Sequence, residues 1–347
     1  MMTGGCQSVF DPDVIRDIRN AIYGLRRCIL VAGAGLSAQA CTTTGNRPPL
    51  WPGLLRGMID WCVRYEFADA TYGKQVHALI DANYLVEAGQ EIEELFREKS
   101  LEQQCLREVL RCNEAVVSEA HSVIAKVPFR AYLTTNYDNL IETAFSQVTR
   151  RAIARFYERS IDSVMEEYRE SRPFILKLHG DVDDAESIIL GDRGYERLLH
   201  SAGRYRDCLH TLFSMSSILF VGFGGSDPDL DGLMSKVAAF DGRRRRHWMV
   251  VPEGKFPSLK AKRLLNDKGV RVIEYPIDDT HSRLIEFLAI LTTPASVLRP
   301  EDSGASLSSI SEQIAAEPAY LISEHKFDEI RFDAKVPSKD DEPGAAN

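Results

Sequence analysis

No two cysteines of this 347-residue chain are spaced C-x-x-C. The seven present (Cys6, Cys28, Cys41, Cys62, Cys105, Cys112 and Cys208) are an odd number, and several sit in apolar or helical surroundings. That pattern excludes a disulfide framework and a tetrahedral cysteine zinc site, so no metal is expected and the thiols suit a cytoplasmic protein. Long apolar runs are missing as well. The longest are strand-sized, far short of the ~20 residues of a membrane helix. The opening MMTGGCQSVFDPD has no basic stretch followed by an apolar one, so neither a signal peptide nor a membrane association is expected. Positive charge is in deficit, with 42 Lys and Arg against 51 Asp and Glu and a net charge of -9. Neutralising phosphates takes clustered cations, which argues against direct nucleic-acid binding. One basic run, Arg243–Arg246, stands apart; it reads as a solvated turn before a strand or as a local contact for a polyanion or an acidic partner.

What is there is enough for a full core: 44% of residues are hydrophobic and the mean hydropathy is -0.21. The length allows roughly two domains of about 150 residues, or one large α/β domain with insertions. Short apolar runs read as buried strands at Cys28–Ala32, Phe129–Leu133, Ala152–Phe156, Phe174–Leu178, Ile218–Val221, His247–Val251 and Val270–Tyr275, and Ser187–Leu190 is a further short apolar run. Helical spacing lies between them at Val14–Arg26, Tyr137–Phe145, Tyr195–Leu212, Asp229–Phe240, Ser258–Asp267 and His281–Leu291. A long Glu-, Leu-, Gln- and Arg-rich stretch over about 53–126 reads as a helical insertion packed over the sheet edge. Alternating strands and helices predict right-handed crossovers and an α/β fold, with a Rossmann-like, mostly parallel sheet. From Thr292 the composition turns to Ser, Ala, Pro, Asp and Glu, so 299–347 is expected to be a partly disordered C-terminal extension with at most a short helix near Leu307–Ala316.

Four strings at strand ends carry the chemistry. Gly33-Ala34-Gly35-Leu36-Ser37-Ala38 fits G-x-G-x-x-G/A, in which glycines let the backbone approach a pyrophosphate and free N–H groups meet its charge. The same pattern also serves as a plain strand-to-helix turn, and no helix start is evident at Ser37. No acidic residue ends a second strand about 20 residues on, as a standard dinucleotide fold would supply. Asn136, in Thr134-Thr135-Asn136-Tyr137-Asp138, reads as a helix N-cap or as an amide holding a ribose hydroxyl or water. His179 ends a buried strand before Gly180, a good place for a general base near neutral pH. In Gly222-Phe223-Gly224-Gly225-Ser226-Asp227-Pro228-Asp229, capping explains Asp-Pro but not three glycines. Ligands of open α/β sheets sit outside the carboxyl ends of the strands, where all four strings fall.

Taken in order, these strings resemble the sirtuin fold over roughly 13–293, and specifically its bacterial defence-associated, zinc-less branch. Ile189-Leu190 followed by Tyr195 is similar to the spacer of that branch. Protein-deacylating sirtuins carry two C-x-x-C pairs, a Gly-Ile-Pro-Asp-Phe-Arg string after the phosphate loop and an asparagine motif that begins Thr-Gln. Here the chain reads Ala40-Cys41-Thr42-Thr43-Thr44-Gly45 and Thr134-Thr135. The departures point away from acyl-lysine deacylation and toward NAD+ glycohydrolysis by anti-phage effectors.

The resemblance implies a catalytic NAD-binding domain over 1–298, with NAD+ as substrate. Asn136 and His179 would be catalytic, one positioning water or a ribose hydroxyl and the other accepting a proton. Gly33, Ala34, Gly35, Ser37, Asp138, Gly222, Phe223, Gly224 and Ser226 would bind the nucleotide, with Val251–Glu253 a further candidate on the ribose and adenine side. A toxic hydrolase needs a gate, so a homo-oligomer and a separately encoded partner such as a HerA-type ATPase are expected. An NAD-dependent protein deacylase and a non-enzymatic NAD or ADP-ribose-binding assembly module are the alternatives.

Overall fold

The computed structural model describes residues 10–42, 45–112, 114–196, 203–223 and 247–294. Gly224–Asp229, the helix expected over 229–240, the Arg243–Arg246 run, Cys6 and the 299–347 extension lie outside the described residues. Seven strands form one sheet: β1 (Cys28–Ala32), β4 (Ala131–Thr134), β5 (Ala154–Phe156), β6 (Phe174–Lys177), β7 (Ser217–Val221), β8 (His247–Pro252) and β9 (Val270–Tyr275), in the order β5-β6-β4-β1-β7-β8-β9. All six pairings are parallel. After β1 the chain places β4 beside it, then β5 at the edge and β6 between those two, and returns to the other side of β1 with β7. The carboxyl edge beside β1 is therefore a topological switch point, the crevice where open α/β sheets bind ligands.

Alternation along each buried strand feeds two apolar layers. Cys28, Leu30 and Ala32 face helices α1 (Pro12–Arg19), α7 (Glu119–Lys126), α8 (Leu140–Thr149) and α13 (Ser282–Ile290). Ile29 and Val31 face α9 (Ile161–Arg169), α11 (Gly203–Met215) and α12 (Ser258–Lys268). Strands buried on both faces need no polar side, which is why they read as continuous apolar runs. Their observed bounds match the expected ones within a few residues; β9 coincides, and β1 does too. Ser187–Leu190, by contrast, is not a strand but the end of a short 3-10 turn (Ala185–Ser187) and an extended segment.

The helical stretch read over 53–126 divides between two layers. Helices α3 (Trp51–Arg64), α4 (Ala70–Asp81), α5 (Leu85–Glu93) and α6 (Lys99–Leu110) share a core of their own, with Leu55, Met58, Ile59, Cys62, Ile92 and Leu106 at its centre. Strands β2 (Cys41–Thr42) and β3 (Ala115–Val116) pair at its base. Helix α7 instead packs its Ala120, Val123 and Ile124 into the main sheet layer beside α8. Helical period reveals an apolar stripe but not its partner. The six described cysteines are free thiols. Among the described residues no helix is long and apolar enough to cross a membrane.

Candidate active site

Register brings the motifs together. Val221, Ala32, Thr134 and Lys177 lie side by side across β7, β1, β4 and β6. Gly222 and Gly33 follow that row by one residue, and Asn136 and His179 follow it by two. The ladder continues past the row, with Gly33 N–H donating to Val221 O at 3.0 Å and Leu178 N–H to Thr134 O at 2.8 Å.

The Asn136 amide is fixed from its nitrogen side. Its Nδ2 donates to Gly33 O at 3.0 Å and to Ser37 Oγ at 2.7 Å, so both N–H groups are spent. The Ser37 hydroxyl in turn donates to Asp138 Oδ2 at 2.6 Å, and Asp138 Oδ1 accepts from Leu140 N–H at 3.1 Å. Ser37, Asn136 and Asp138 are all buried. Asn136 is thus no helix cap: Asn139 occupies that position for α8. Asp138 anchors the loop to α8 and locks the Ser37 hydroxyl. What Asn136 has left to offer is its carbonyl oxygen, an acceptor for a hydroxyl or water proton.

The glycines have a role that their pattern does not reveal: they admit a second loop. Residues Ala34–Ser37 form a one-turn helix, α2, capped by Gly33. A Cβ on Gly33 would lie 2.6 Å from Gly222 O, and one on Gly35 would lie 2.9 Å from the same atom. Gly222 has φ +65, and a Cβ there would overlap the Leu36 backbone. Gly35 N–H donates to Gly222 O at 2.8 Å and Leu36 N–H to Gly33 O at 2.9 Å. The two loops cross backbone on backbone, and three amides expected to meet a pyrophosphate already have protein acceptors. Phe223 puts its ring in the core, 5.6 Å from Phe220. Gly224 and Ser226 lie outside the described residues.

His179, buried at the end of β6, accepts from Ile189 N–H through its main-chain carbonyl at 3.0 Å. Gly180 after it has φ +91, and any Cβ would strike Ser187 O, so the turn requires glycine. The acidic stretch 181–184 that follows is gripped by three arginines. Arg155 reaches Asp181 at 3.2 Å and Asp183 at 3.1 Å, Arg107 of α6 reaches Asp183 at 2.8 Å, and Arg159 pairs with Asp184. Gln103 and Arg107 also donate to Val182 O, at 2.7 and 2.8 Å. The insertion therefore holds the His179 loop directly. Tyr137, beside Asn136, closes the frame: its hydroxyl donates to Ile189 O at 2.7 Å and its ring stacks on Trp51 of α3.

Two buried groups escaped the sequence reading. Lys177, at the end of β6, has its ammonium 3.0 Å from Glu142 Oε1 and 3.4 Å from Asp181 Oδ2, and it donates to the Asp138 carbonyl. Burial pulls its pKa down, but Glu142, Asp181 and Asp138 outweigh that and leave it raised. Burial likewise pushes the Glu142 carboxyl up, with Lys177 opposing. His121 of α7 is 1% exposed, its Nδ1 lies 2.7 Å from Ser118 Oγ, and its Nε2 has no hydrogen-bond partner. Burial pushes it down to about 4, against the Asp138 charge. A lysine inside an FILK run looks like the strand's last residue, and a histidine inside an amphipathic helix looks like surface. The only available signal was Ser118 three residues before His121, a capping pattern that places the ring inward.

Residues 130–273 match the SIR2-like domain family. The matched stretch carries Asn136, Asp138, Lys177, His179 and Gly222, and leaves out the Gly33–Ser37 loop. The chain is also 30% identical over 136 residues to "NAD(+) hydrolase ThsA" of Bacillus cereus (strain MSX-D12), a segment that is 39% of this chain and 28% of that protein. The protein of the same name from Cytobacillus dafuensis is 30% identical over 139 residues, 39% of this chain and 26% of the relative. That from Enterococcus faecium is 27% identical over 125 residues, 36% and 26% respectively. The matched segments thus span less than a third of the curated relatives' length.

Proposed function

We propose that this protein is an NAD+ glycohydrolase that releases nicotinamide and ADP-ribose. The observation that carries the reading is the Asn136 amide, held through both N–H groups at the end of β4, one strand away from His179 at the end of β6. In this reading NAD+ lies across the carboxyl edge with its pyrophosphate near α2, at Gly33, Ala34, Gly35 and Ser37. Gly222, Phe223, Gly224 and Ser226 are assigned to binding the rest of the nucleotide. The C1′–nitrogen bond breaks heterolytically, its electron pair leaves with the nicotinamide nitrogen, and the ribose passes through an oxocarbenium-like state. Asn136 Oδ1 accepts from the ribose hydroxyl or the attacking water. His179 takes the water's proton as the new C1′–oxygen bond forms. Asp138 and Ser37 keep the Asn136 amide from flipping. Names of the curated relatives support NAD+ as the substrate.

The enzyme is read as a gated effector of anti-phage defence in the cytoplasm, because uncontrolled loss of NAD+ would be toxic to its host. Its gate is a homo-oligomer, a separately encoded partner such as a HerA-type ATPase, or both, with the insertion as the contact surface. Purified protein is incubated with NAD+, with and without the co-encoded partner, and nicotinamide is followed. Asn136→Ala and His179→Ala are each expected to lower kcat by about 100-fold or more while the fold is kept. Wild-type rates in both variants overturn the assignment. NAD+-dependent release of acetyl groups from peptide in the same assay would favour deacylation, and nucleotide binding without turnover would favour an assembly module.

A further inference from the structure

The loops that carry Asn136 and His179 come from different strands, and a single buried cation joins them. Lys177 Nζ donates to the Asp138 main-chain carbonyl on the β4 side and lies 3.4 Å from Asp181 on the β6 side. Glu142, on the first turn of α8, is its third partner at 3.0 Å. Lys177 and Asp181 are inaccessible to solvent, so neither charge is stabilised by water. Asp181 is shared with Arg155, and its Oδ1 accepts from Asp183 N–H at 2.8 Å. The cation touches neither Asn136 nor His179. It reaches the first through Asp138 and Ser37, whose side chains orient the Asn136 amide. It reaches the second through Asp181, two residues beyond the histidine and bonded by its N–H to Ser187 Oγ at 3.0 Å. A purely apolar residue at this place would complete the strand but leave the Asp138 carbonyl without that donor.

We infer that Lys177 is a positioning residue: its ammonium, clamped by Glu142 and Asp181, sets the orientation of the Asn136 amide and the spacing between the Asn136 and His179 loops. The inference deepens the NAD+ reading and rests on it only for its kinetic arm.

A charge-balanced pair of variants separates positioning from mere folding. Lys177→Met leaves carboxylates buried without their cation and is expected to lower the melting temperature. Adding Glu142→Gln removes one of those carboxylates and is expected to recover most of that temperature. The first readout is the side-chain amide of Asn136 by NMR, assigned by its loss in Asn136→Ala. In wild type its two protons, both hydrogen-bonded, exchange slowly. In the double variant they are expected to exchange rapidly and shift toward solvent-exposed values. The second readout is turnover: kcat stays about 100-fold down in the double variant, as for a misplaced reacting group, while KM for NAD+ stays within about three-fold of wild type. An unchanged Asn136 amide in a refolded double variant overturns the inference, whether or not NAD+ is a substrate. Absence of NAD+ turnover in wild type, with or without partner, overturns the proposed function and leaves the amide measurement to judge Lys177. If the single variant does not fold, the double variant carries both readouts. If it does not fold either, Glu142→Gln alone, which loosens the clamp without removing the cation, is expected to speed Asn136 amide exchange, and an unchanged rate there also overturns the inference.

Discussion

Two loop pairs meet at the same sheet edge and are joined by opposite means. The β1 and β7 loops cross with no side chain between them, because Gly33, Gly35 and Gly222 let backbone rest on backbone. The β4 and β6 loops are joined by buried charge: Lys177, Glu142, Asp181 and Arg155. The first joint is steric and neutral and tolerates no added atom. The second is electrostatic, and its strength depends on which groups hold protons. One edge thus combines a half fixed by backbone contact with a half whose geometry follows its charges.

The steric half is the easier to break. Gly222→Ala must resolve an overlap with the Leu36 backbone at a left-handed φ, and is expected to lose more than about 4 kcal/mol, seen as loss of cooperative urea unfolding. Gly45→Ala is the matching control: its φ is +83 but a Cβ would meet nothing within 4 Å, so a loss of only about 1 kcal/mol is expected. Similar losses at both positions would show that conformation, not the crossing, makes glycine necessary.

Buried charge outside that joint is tested by pH, where two groups act with opposite sign. His121 is held down to about 4 from 6.5, chiefly by burial. The unfolded chain then takes up a proton that the native chain refuses, so stability falls as pH drops from 6.5 toward 4. Glu102 of α6, at 0% exposure, is pushed up to about 7 from 4.5, again chiefly by burial and against Lys99. The native chain keeps a proton that the unfolded chain releases, so stability falls as pH rises from 4.5 through about 7. Each effect is on the order of 3 kcal/mol. Urea midpoints measured against pH should flatten on the acid side in His121→Gln, and over the rise to neutrality in Glu102→Gln. Curves parallel to wild type would show that neither group titrates as described.

The smallest effect belongs to the rim. Arg107→Ala removes a partly exposed ion pair with Asp183 and is expected to change global stability by less than about 1 kcal/mol. Local opening should respond more, because Val182 O keeps only Gln103 as its side-chain donor from α6. Faster hydrogen exchange over 181–190, without a matching shift in the midpoint, is the expected result.

Much of this edge was legible in the sequence. Cys28–Ala32 and Val270–Tyr275 are strands with the bounds their apolar runs imply, and Asn136 and His179 stand at strand ends as their contexts suggest. Less legible was what each motif residue touches. A G-x-G pattern looks the same whether its glycines admit a phosphate, another loop or both, and only the position of Gly222, far along the chain, reveals the crossing. The one-turn helix after Gly33 is too short for any periodicity to register. The apolar run at Ser187–Leu190 divides its burial, Ile188 and Leu190 joining the insertion's core and Ile189 the sheet layer, which its hydrophobicity alone does not reveal. Lys177 was hidden by its own strand, since its carboxylate partners come from α8 and a loop.

The order of pairing around β1 bears on synthesis. Ribosomes deliver β1 early, yet its neighbours β4 and β7 arrive only about 100 and about 190 residues later, and translation proceeds at about 5–20 residues per second. The bond from Asn136 to Ser37 spans 99 residues, and the glycine crossing spans more. Such non-local closure is slow compared with helix formation. A nascent chain therefore holds a bare CILVA ribbon for seconds, before Asn136 can reach Ser37. The meeting of Ser37, Asn136 and Gly222 is completed late, once both flanks of that ribbon are in place.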